Sequence, residues 1–268
     1  MQLAPSFPLQ SIVRHYLILS NEAGAHLDFR MFSDGSPGIV FHRKKPLLQQ
    51  NETEQHTRQP ESFAYGQITL FTTLSATAAV DMLIVVLQPG AVFRLFGIPA
   101  FELNDLTVPF TVLTGNAGHV LMEQVQQQSD SIAAIKAIEA FLLSRLHQDT
   151  YDGQLIDTTL QQIYTEKGQS TVATLLKAIP VTERQLERKF RQHIGLSPKK
   201  FADIIRFQHF LKNLRQCAAT VSLSELSFTS GYYDQSHLNN SFKKFTGLTP
   251  GQYQADVQQL AVNFLLLR

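Results

Sequence analysis

The chain has 268 residues, 23 basic and 22 acidic side chains, and a formal net charge of +1. That length suits two domains, each with room for a buried core. The single cysteine, Cys217, excludes an internal disulfide and fits a reducing cytosol, no apolar run reaches membrane-spanning length, and the stretch from Met1 to Leu19 mixes Pro, Gln, Arg and His unlike a signal peptide, so a cytoplasmic protein with no membrane partner is expected.

From about residue 10 to 90 the pattern predicts strands. Leu27, Phe29 and Met31 alternate with polar residues, Ser33 to Gly38 is turn chemistry, and Ile39-Val40-Phe41 reads as a strand. Ile68 to Phe71 and Met82 to Leu87 are further strand candidates, the second central in its sheet; His42 to Thr57 is polar and basic and reads as an exposed loop. Short strands between turns suggest a small sandwich or barrel. Phe29, Phe41, Phe63, Tyr65 and Phe71 are candidates for its interior, where aromatic residues more often serve as simple core. Gln88 to Gly97 marks a switch from strand to helix.

Asn116 to Gln128 and Ser131 to Leu146 then read as two helices. In the second, Ile132, Ile135, Ile138, Leu142 and Leu146 form one stripe, which can pack on the strands or on the same helix of another copy. His15, His26, His42, His56 and His119 are scattered without metal-ligand spacing, and no nucleophile elbow, phosphate loop or CxxC pattern is present. No catalytic residue, metal or cofactor is therefore expected.

The C-terminal half uses one phrase twice. Gly195-Leu196-Ser197-Pro198-Lys199-Lys200-Phe201 and Gly247-Leu248-Thr249-Pro250-Gly251-Gln252-Tyr253 stand at one offset, and Leu186 and Phe190 precede the first as Leu238 and Phe242 precede the second. Each copy encodes a helix end at glycine, a Ser or Thr cap and a proline start. Upstream, Thr182 with Gln185 has the capping-box form and Asp234 is a good N-cap. Short apolar stretches, Val172 to Ile179 and Leu223 to Phe228, precede tight turns at Pro180-Val181 and Gly231-Tyr232, which is the layout of a helix-turn-helix, twice. Between Ser170 and Gly251 stand 12 Lys and Arg against 5 Asp and Glu, so this segment is +7 in a chain of +1. Such asymmetry is the footprint of a phosphate-binding domain on an acidic partner domain.

Residues from about 152 to 253 resemble the DNA-binding domain of AraC/XylS-type transcription regulators. The resemblance is carried by Gly231-Tyr232, Asp234-Gln235-Ser236-His237-Leu238, Phe242-Lys243-Lys244 and Gly247-Leu248-Thr249-Pro250 with Tyr253. It departs at Pro180, where the family usually has glycine, at Leu176, where a small residue is common, and at Asn240, where a basic residue is common. The region around Pro89-Gly90, Phe96-Gly97 and Pro99 is similar to the cupin-like sensor domains of some of these regulators. The resemblance implies an α+β multidomain chain. An N-terminal cupin-like β-barrel sensor occupies residues 1–112, a helical hairpin for dimerisation and linkage 113–149, an all-α double helix-turn-helix domain 150–254, and an apolar tail 255–268. It also implies a double-stranded DNA partner, a small-molecule effector, activator behaviour and a homodimer through the N-terminal helices.

The first recognition helix is expected over about Glu183 to His193, with Leu186, Phe190 and Ile194 inward and Glu183, Arg184, Glu187 and Arg188 toward bases. Arg can donate two hydrogen bonds to guanine, so Arg184 and Arg188, one turn apart, are the leading readers; Lys189 and Arg191 suit phosphate. The second runs from about Gln235 to Phe245 and offers Gln235, Ser236, Asn239 and Asn240, whose amides suit adenine, with Lys243 and Lys244 for phosphate. The joining helix, Pro198 to about Leu214, has a broad apolar stripe and sets the spacing. The tail, with Leu260, Val262, Phe264, Leu265, Leu266 and Leu267, is too apolar to be free and should dock on a domain or a partner. A metal-dependent cupin-type enzyme fused to a DNA-binding domain is the alternative reading.

Overall fold

A computed structural model describes residues 1–22, 26–50, 55–146, 153–216, 223–255, 257–261 and 263–267. Cys217 lies outside them. The N-terminal part is a β-rich domain of two sheets. β1 (Gln2–Leu3), β2 (Val13–Asn21), β3 (Leu27–Met31), β4 (Gly38–His42), β5 (Leu48–Gln50), β6 (His56–Arg58), β7 (Ser62–Tyr65), β8 (Thr72–Ala76) and β9 (Val80–Leu87) lead into α1 (Ala91–Phe96). A 3-10 turn, Ala100–Leu103, then leads to β10 (Thr107–Pro109) and to α2 (Phe110–Thr114), α3 (Asn116–Gln127) and α4 (Ser131–Arg145). The helical domain contains α5 (Gln154–Thr165), α6 (Val172–Ala178), α7 (Glu183–Ile194), α8 (Pro198–Gln216), α9 (Leu223–Thr229), α10 (Gln235–Thr246) and α11 (Pro250–Ala255). The chain then returns as a hairpin, β11 (Val257–Ala261) and β12 (Phe264–Leu267).

One sheet has the order β1-β2-β9-β4-β7-β10, the other β11-β12-β3-β8-β5-β6, and all pairings among the described residues are antiparallel. β9 is central, as expected for Met82 to Leu87. From Met82 to Leu87 its residues form an unbroken apolar run because both faces are covered: Leu83, Val85 and Leu87 join a core under α1 to α4, while Met82, Ile84 and Val86 face the second sheet. β4 divides the same way, with Ile39 and Phe41 on one side and Val40 on the other.

Three expectations need correction. The closed cupin-like barrel is instead a two-sheet sandwich, with no ladder joining the sheets among the described residues. A reason lies in β3, whose outer edge is occupied by β12, so it cannot turn toward the first sheet. Ile68 to Phe71 is not a strand but the connection from β7 to β8, bent so that the backbone and hydroxyl of Thr69 both donate to the carboxylate of Asp105 at 2.6 Å. His42 to Thr57 is not all exposed loop: His42 ends β4 fully buried, Leu47 is buried, and β5 and β6 pair as a hairpin.

The stripe on α4 also finds its partner inside the chain. Ile135, Ile138 and Leu142 are buried in the core shared with the first sheet, together with Leu121, Met122 and Val125 of α3. They are therefore not available to another copy, and only Ile132 of the stripe stays exposed. Asp130 caps α4, accepting from the backbone amides of Ile132 and Ala133.

The apolar tail docks where β3 needs an edge partner. Phe264 pairs with Met31, Leu265 with Arg30 and Leu266 with Phe29, and the Phe264 and Phe29 rings stack with centroids 5.1 Å apart. Leu265 is fully buried in the core of the helical domain, while Phe264 belongs to the core between the sheets. The hairpin thus ties the end of the helical domain to the β domain.

Candidate nucleic-acid interface

The local signals at residues 170–255 produce the expected helices. The Thr182 hydroxyl accepts from the Gln185 amide at 3.3 Å and the Gln185 side chain accepts from the Thr182 amide at 3.0 Å, which closes the capping box that starts α7. Asp234 accepts from the His237 amide at 2.7 Å and starts α10. Ser197 and Thr249 cap α8 and α11 through the amides of Lys200 and Gln252. Gly195 and Gly247 close α7 and α10 in the left-handed region, at φ 96° and 71°.

Packing then decides which faces remain outside. Leu186, Phe190 and Ile194 of α7, and Leu238 and Phe242 of α10, are fully buried. Both sets meet α8: Phe201 packs edge-on to Phe190, while Phe207 and Phe210 pack edge-on to Phe242. α8 has 19 residues, about 28 Å of helix; α7 packs on Phe201 near its start and α10 on Phe207 and Phe210 in its middle.

On α7, Glu183, Arg184 and Arg188 are exposed and Glu187 is half-buried. Lys189 is half-buried and Arg191 exposed, with its guanidinium 4.8 Å from the centre of the Phe101 ring. On α10, Gln235, Ser236, Asn239, Asn240, Lys243 and Lys244 are all exposed. His237 is exposed too, its ring edge-on to Tyr232 at 5.3 Å. Arg206 of α8 is engaged elsewhere, bonded to Asp203 at 2.6 Å and lying over Tyr232. The outer faces therefore bring together arginines and carboxylates on α7 and amides and lysines on α10.

The β domain touches both α7 and α10 at their C-terminal ends, which the sequence reading did not anticipate. The Asn104 side-chain amide donates to the Gly195 carbonyl at 2.7 Å, and the Phe93 ring sits 4.2 Å from that of His193. Arg30 donates to the Thr246 carbonyl at 2.7 Å while its guanidinium lies over Phe71. Between these points the turn after β3 leans on α8: Gln208 donates to the Ser33 carbonyl at 2.7 Å, and fully buried Phe32 meets Phe207. These partners stand 91, 216 and 175 positions apart, so no local signal could pair them.

In the β domain a cleft of about 540 Å³ opens between the sheets. Phe63, Tyr65 and Phe71 line it with Met31, Leu106 and Gln49. Phe29 and Phe41 do not line it and are core residues, on opposite faces of the packed layers. Among the described residues no group of three or more His, Cys, Asp or Glu comes together as a metal site, and no helix is long and apolar enough to cross a membrane.

Comparison with known proteins follows the same division. Residues 1–109 match a family described as a domain of unknown function, DUF6597, and residues 175–256 match one described as a helix-turn-helix domain. The chain is similar to the transcriptional regulatory protein HptR of Staphylococcus aureus, 25% identical over 142 residues that cover 53% of this chain and 54% of HptR. It is also similar to the HTH-type transcriptional regulator MtrA of Neisseria gonorrhoeae, 27% identical over 109 residues, 41% of this chain and 35% of MtrA. The chain thus spans about half the length of these relatives or less. Among solved structures, ToxT from Vibrio cholerae aligns with 88% of this chain and 97% of its own at 9% identity and a TM-score of 0.47.

Proposed function

We propose that this chain, which carries an AraC-type helix-turn-helix domain over residues 175–256, is a sequence-specific DNA-binding transcription regulator. The observation that carries the reading is the pair of capped helices, α7 and α10, that bury one face on α8 and leave a polar, hydrogen-bonding face outside. Arg184 and Arg188 read guanine edges with Glu183 and Glu187 beside them; Gln235, Ser236, Asn239 and Asn240 read the second element; Lys189, Arg191, Lys243 and Lys244 hold phosphate. α8 would hold the two helices so that they enter successive major grooves. Because the two faces differ, one chain reads an asymmetric site.

In this reading residues 1–112 sense a small molecule, 113–149 link and dimerise, 150–254 read DNA, and 255–268 return to the β domain. The cleft between the sheets supports the sensing role, since it combines apolar walls with a few polar groups. A homodimer through the N-terminal helices would have to use outward residues such as Val120 and Ile132, both exposed, because the α4 stripe is buried. In this reading the protein works in the cytoplasm as a regulator of transcription rather than as an enzyme.

Selection of bound duplexes from a random pool tests the reading. An enriched sequence with two unequal half-elements is expected, and a pool without enrichment would overturn it. With that site in hand, Arg184→Ala and Arg188→Ala should each lower discrimination against the wrong base by about 1–3 kcal/mol at one position. Unchanged base preferences in both variants would remove these residues as readers.

A further inference from the structure

We infer that the β domain is a clamp that fixes the separation of the two recognition helices, with Asn104 and Arg30 as its two jaws. The inference rests on the DNA-binding reading for its consequence, and on the structure alone for its mechanics.

The last carbonyls of a helix have no partner within the helix. In both copies of the repeated phrase, a side chain of the β domain supplies one. Asn104, just after the 3-10 turn, holds the Gly195 carbonyl that ends α7. Arg30, in β3, holds the Thr246 carbonyl at the end of α10, where its positive charge also suits the helix dipole. Gly195 and Gly247 are equivalent positions in the repeat, so the two held carbonyls differ by one place.

The glycines record how close this approach is. A β-carbon at Gly195 would lie 2.5 Å from Asn104 Oδ1 and 3.2 Å from the Ala100 carbonyl oxygen. At Gly247 it would run into Arg30 Nη1 and the Phe71 ring. Each glycine therefore serves two ends at once, the left-handed turn and the seat for the β domain.

The jaws are joined through rigid structure. Arg30 sits on a strand held on both sides, by β8 and by the returning β12. Asn104 is connected to the segment leading into β8 through Asp105, whose carboxylate takes both the amide and the hydroxyl of Thr69. The turn between β3 and β4 packs on the N-terminal half of α8, with Gly35 against Phe201 and Ile205. Two recognition helices joined only by α8 could tilt about it; the β domain adds a second hold on each, at the α7–α8 junction and at the C-terminal end of α10. The contacts leave Arg184, Arg188, Gln235 and Asn239 exposed, so the clamp positions the readers and does not cover them. Each jaw has a neighbour that lines the cleft, Phe71 under the Arg30 guanidinium and Asp105 next to Asn104, so an occupant pressing on Phe71 or Asp105 acts on the jaws.

Two measurements on the full chain test the clamp. In a Cys217→Ser background, spin labels at Glu183→Cys and Asn240→Cys report the distance between α7 and α10 without DNA. One narrow distribution is expected, broadened clearly in the Arg30→Ala, Asn104→Ala double variant; an unchanged narrow distribution in the folded double variant would overturn the inference. Where the double variant does not fold, the Asn104→Ala chain alone should already broaden the distribution, and its failure to do so counts equally against the clamp. The second measurement uses the selected duplex with its half-elements moved apart by two base pairs. The wild-type chain should lose affinity about tenfold, the double variant about threefold or less. Equal losses would overturn the inference, whereas a wild-type chain that binds no selected duplex fails the DNA-binding reading and leaves the distance measurement to judge the clamp.

Discussion

His42 ends β4 with its ring fully buried, Nε2 3.2 Å from the Gln59 side-chain oxygen and near the Phe63 ring. Burial pulls its pKa down to about 4, with the Gln59 hydrogen bond opposing more weakly. In the unfolded chain the same ring takes a proton near its ordinary pKa of 6.5. Above that value neither state is protonated and His42 has no effect on stability. As pH falls from 6.5 to about 4 only the unfolded chain gains the proton, so stability is lost across that window, on the order of 3 kcal/mol in all. Denaturant unfolding at a series of pH values should show this slope, and His42→Gln should flatten it. A slope that survives the substitution would place the titration elsewhere. The residues proposed as readers on α7 and α10 are of a different kind: Arg184, Arg188, Gln235 and Asn239 are exposed, and in that proposal their chemistry matters against a partner.

At the scale of elements, the returning hairpin is the piece whose removal says most. β12 covers the edge of β3, and an uncovered apolar edge strand invites pairing with another chain. Phe264 stacks on Phe29 in the core between the sheets. Phe264→Ala should therefore cost about 3–5 kcal/mol in denaturant unfolding, as is usual for a buried phenylalanine. Deletion of residues 257–268 should go further and produce oligomers on size-exclusion chromatography. A monomeric truncated chain of wild-type stability would mean that the hairpin is a passenger. α4 teaches the converse lesson, since its stripe looked suited to a partner helix and is spent on the first sheet.

For the whole molecule, charge and domain contact act together. The surplus of Lys and Arg lies in the helical domain, while the other residues carry net negative charge. Binding to DNA should weaken linearly in log-log plots against salt, with a slope of about 0.9 per phosphate neutralised. Lys243→Ala and Lys244→Ala should each reduce that slope by about 1 and leave the preferred sequence unchanged. A change of sequence preference without a change of slope would recast these lysines as base readers. Arg191 has a second partner, because Phe101 of the β domain lies against its guanidinium. Its contribution to the slope should thus be smaller than that of either lysine.

The helices of the C-terminal half were legible because their signals are local. A cap, a stop glycine and a 3.6-residue apolar period act within a few positions, and Thr182, Gln185, Gly195, Asp234 and Gly247 each do in the structure what their residue types dictate. The turn at Ser33 to Gly38 and the central strand at Met82 to Leu87 were legible for the same reason. The connection at Ile68 to Phe71, the buried His42 and the two-sheet closure were not, because an apolar or polar run does not say what will cover it. The amino-acid sequence by itself determined the helices α7 and α10, their inward faces and the polar residues left on their outer faces. Only the tertiary structure decided that the α4 stripe serves the first sheet, that the tail completes the second, and that Asn104 and Arg30 hold the ends of α7 and α10. The Asn104 and Arg30 contacts span 91 and 216 positions, and a contact that distant depends on where whole layers come to rest.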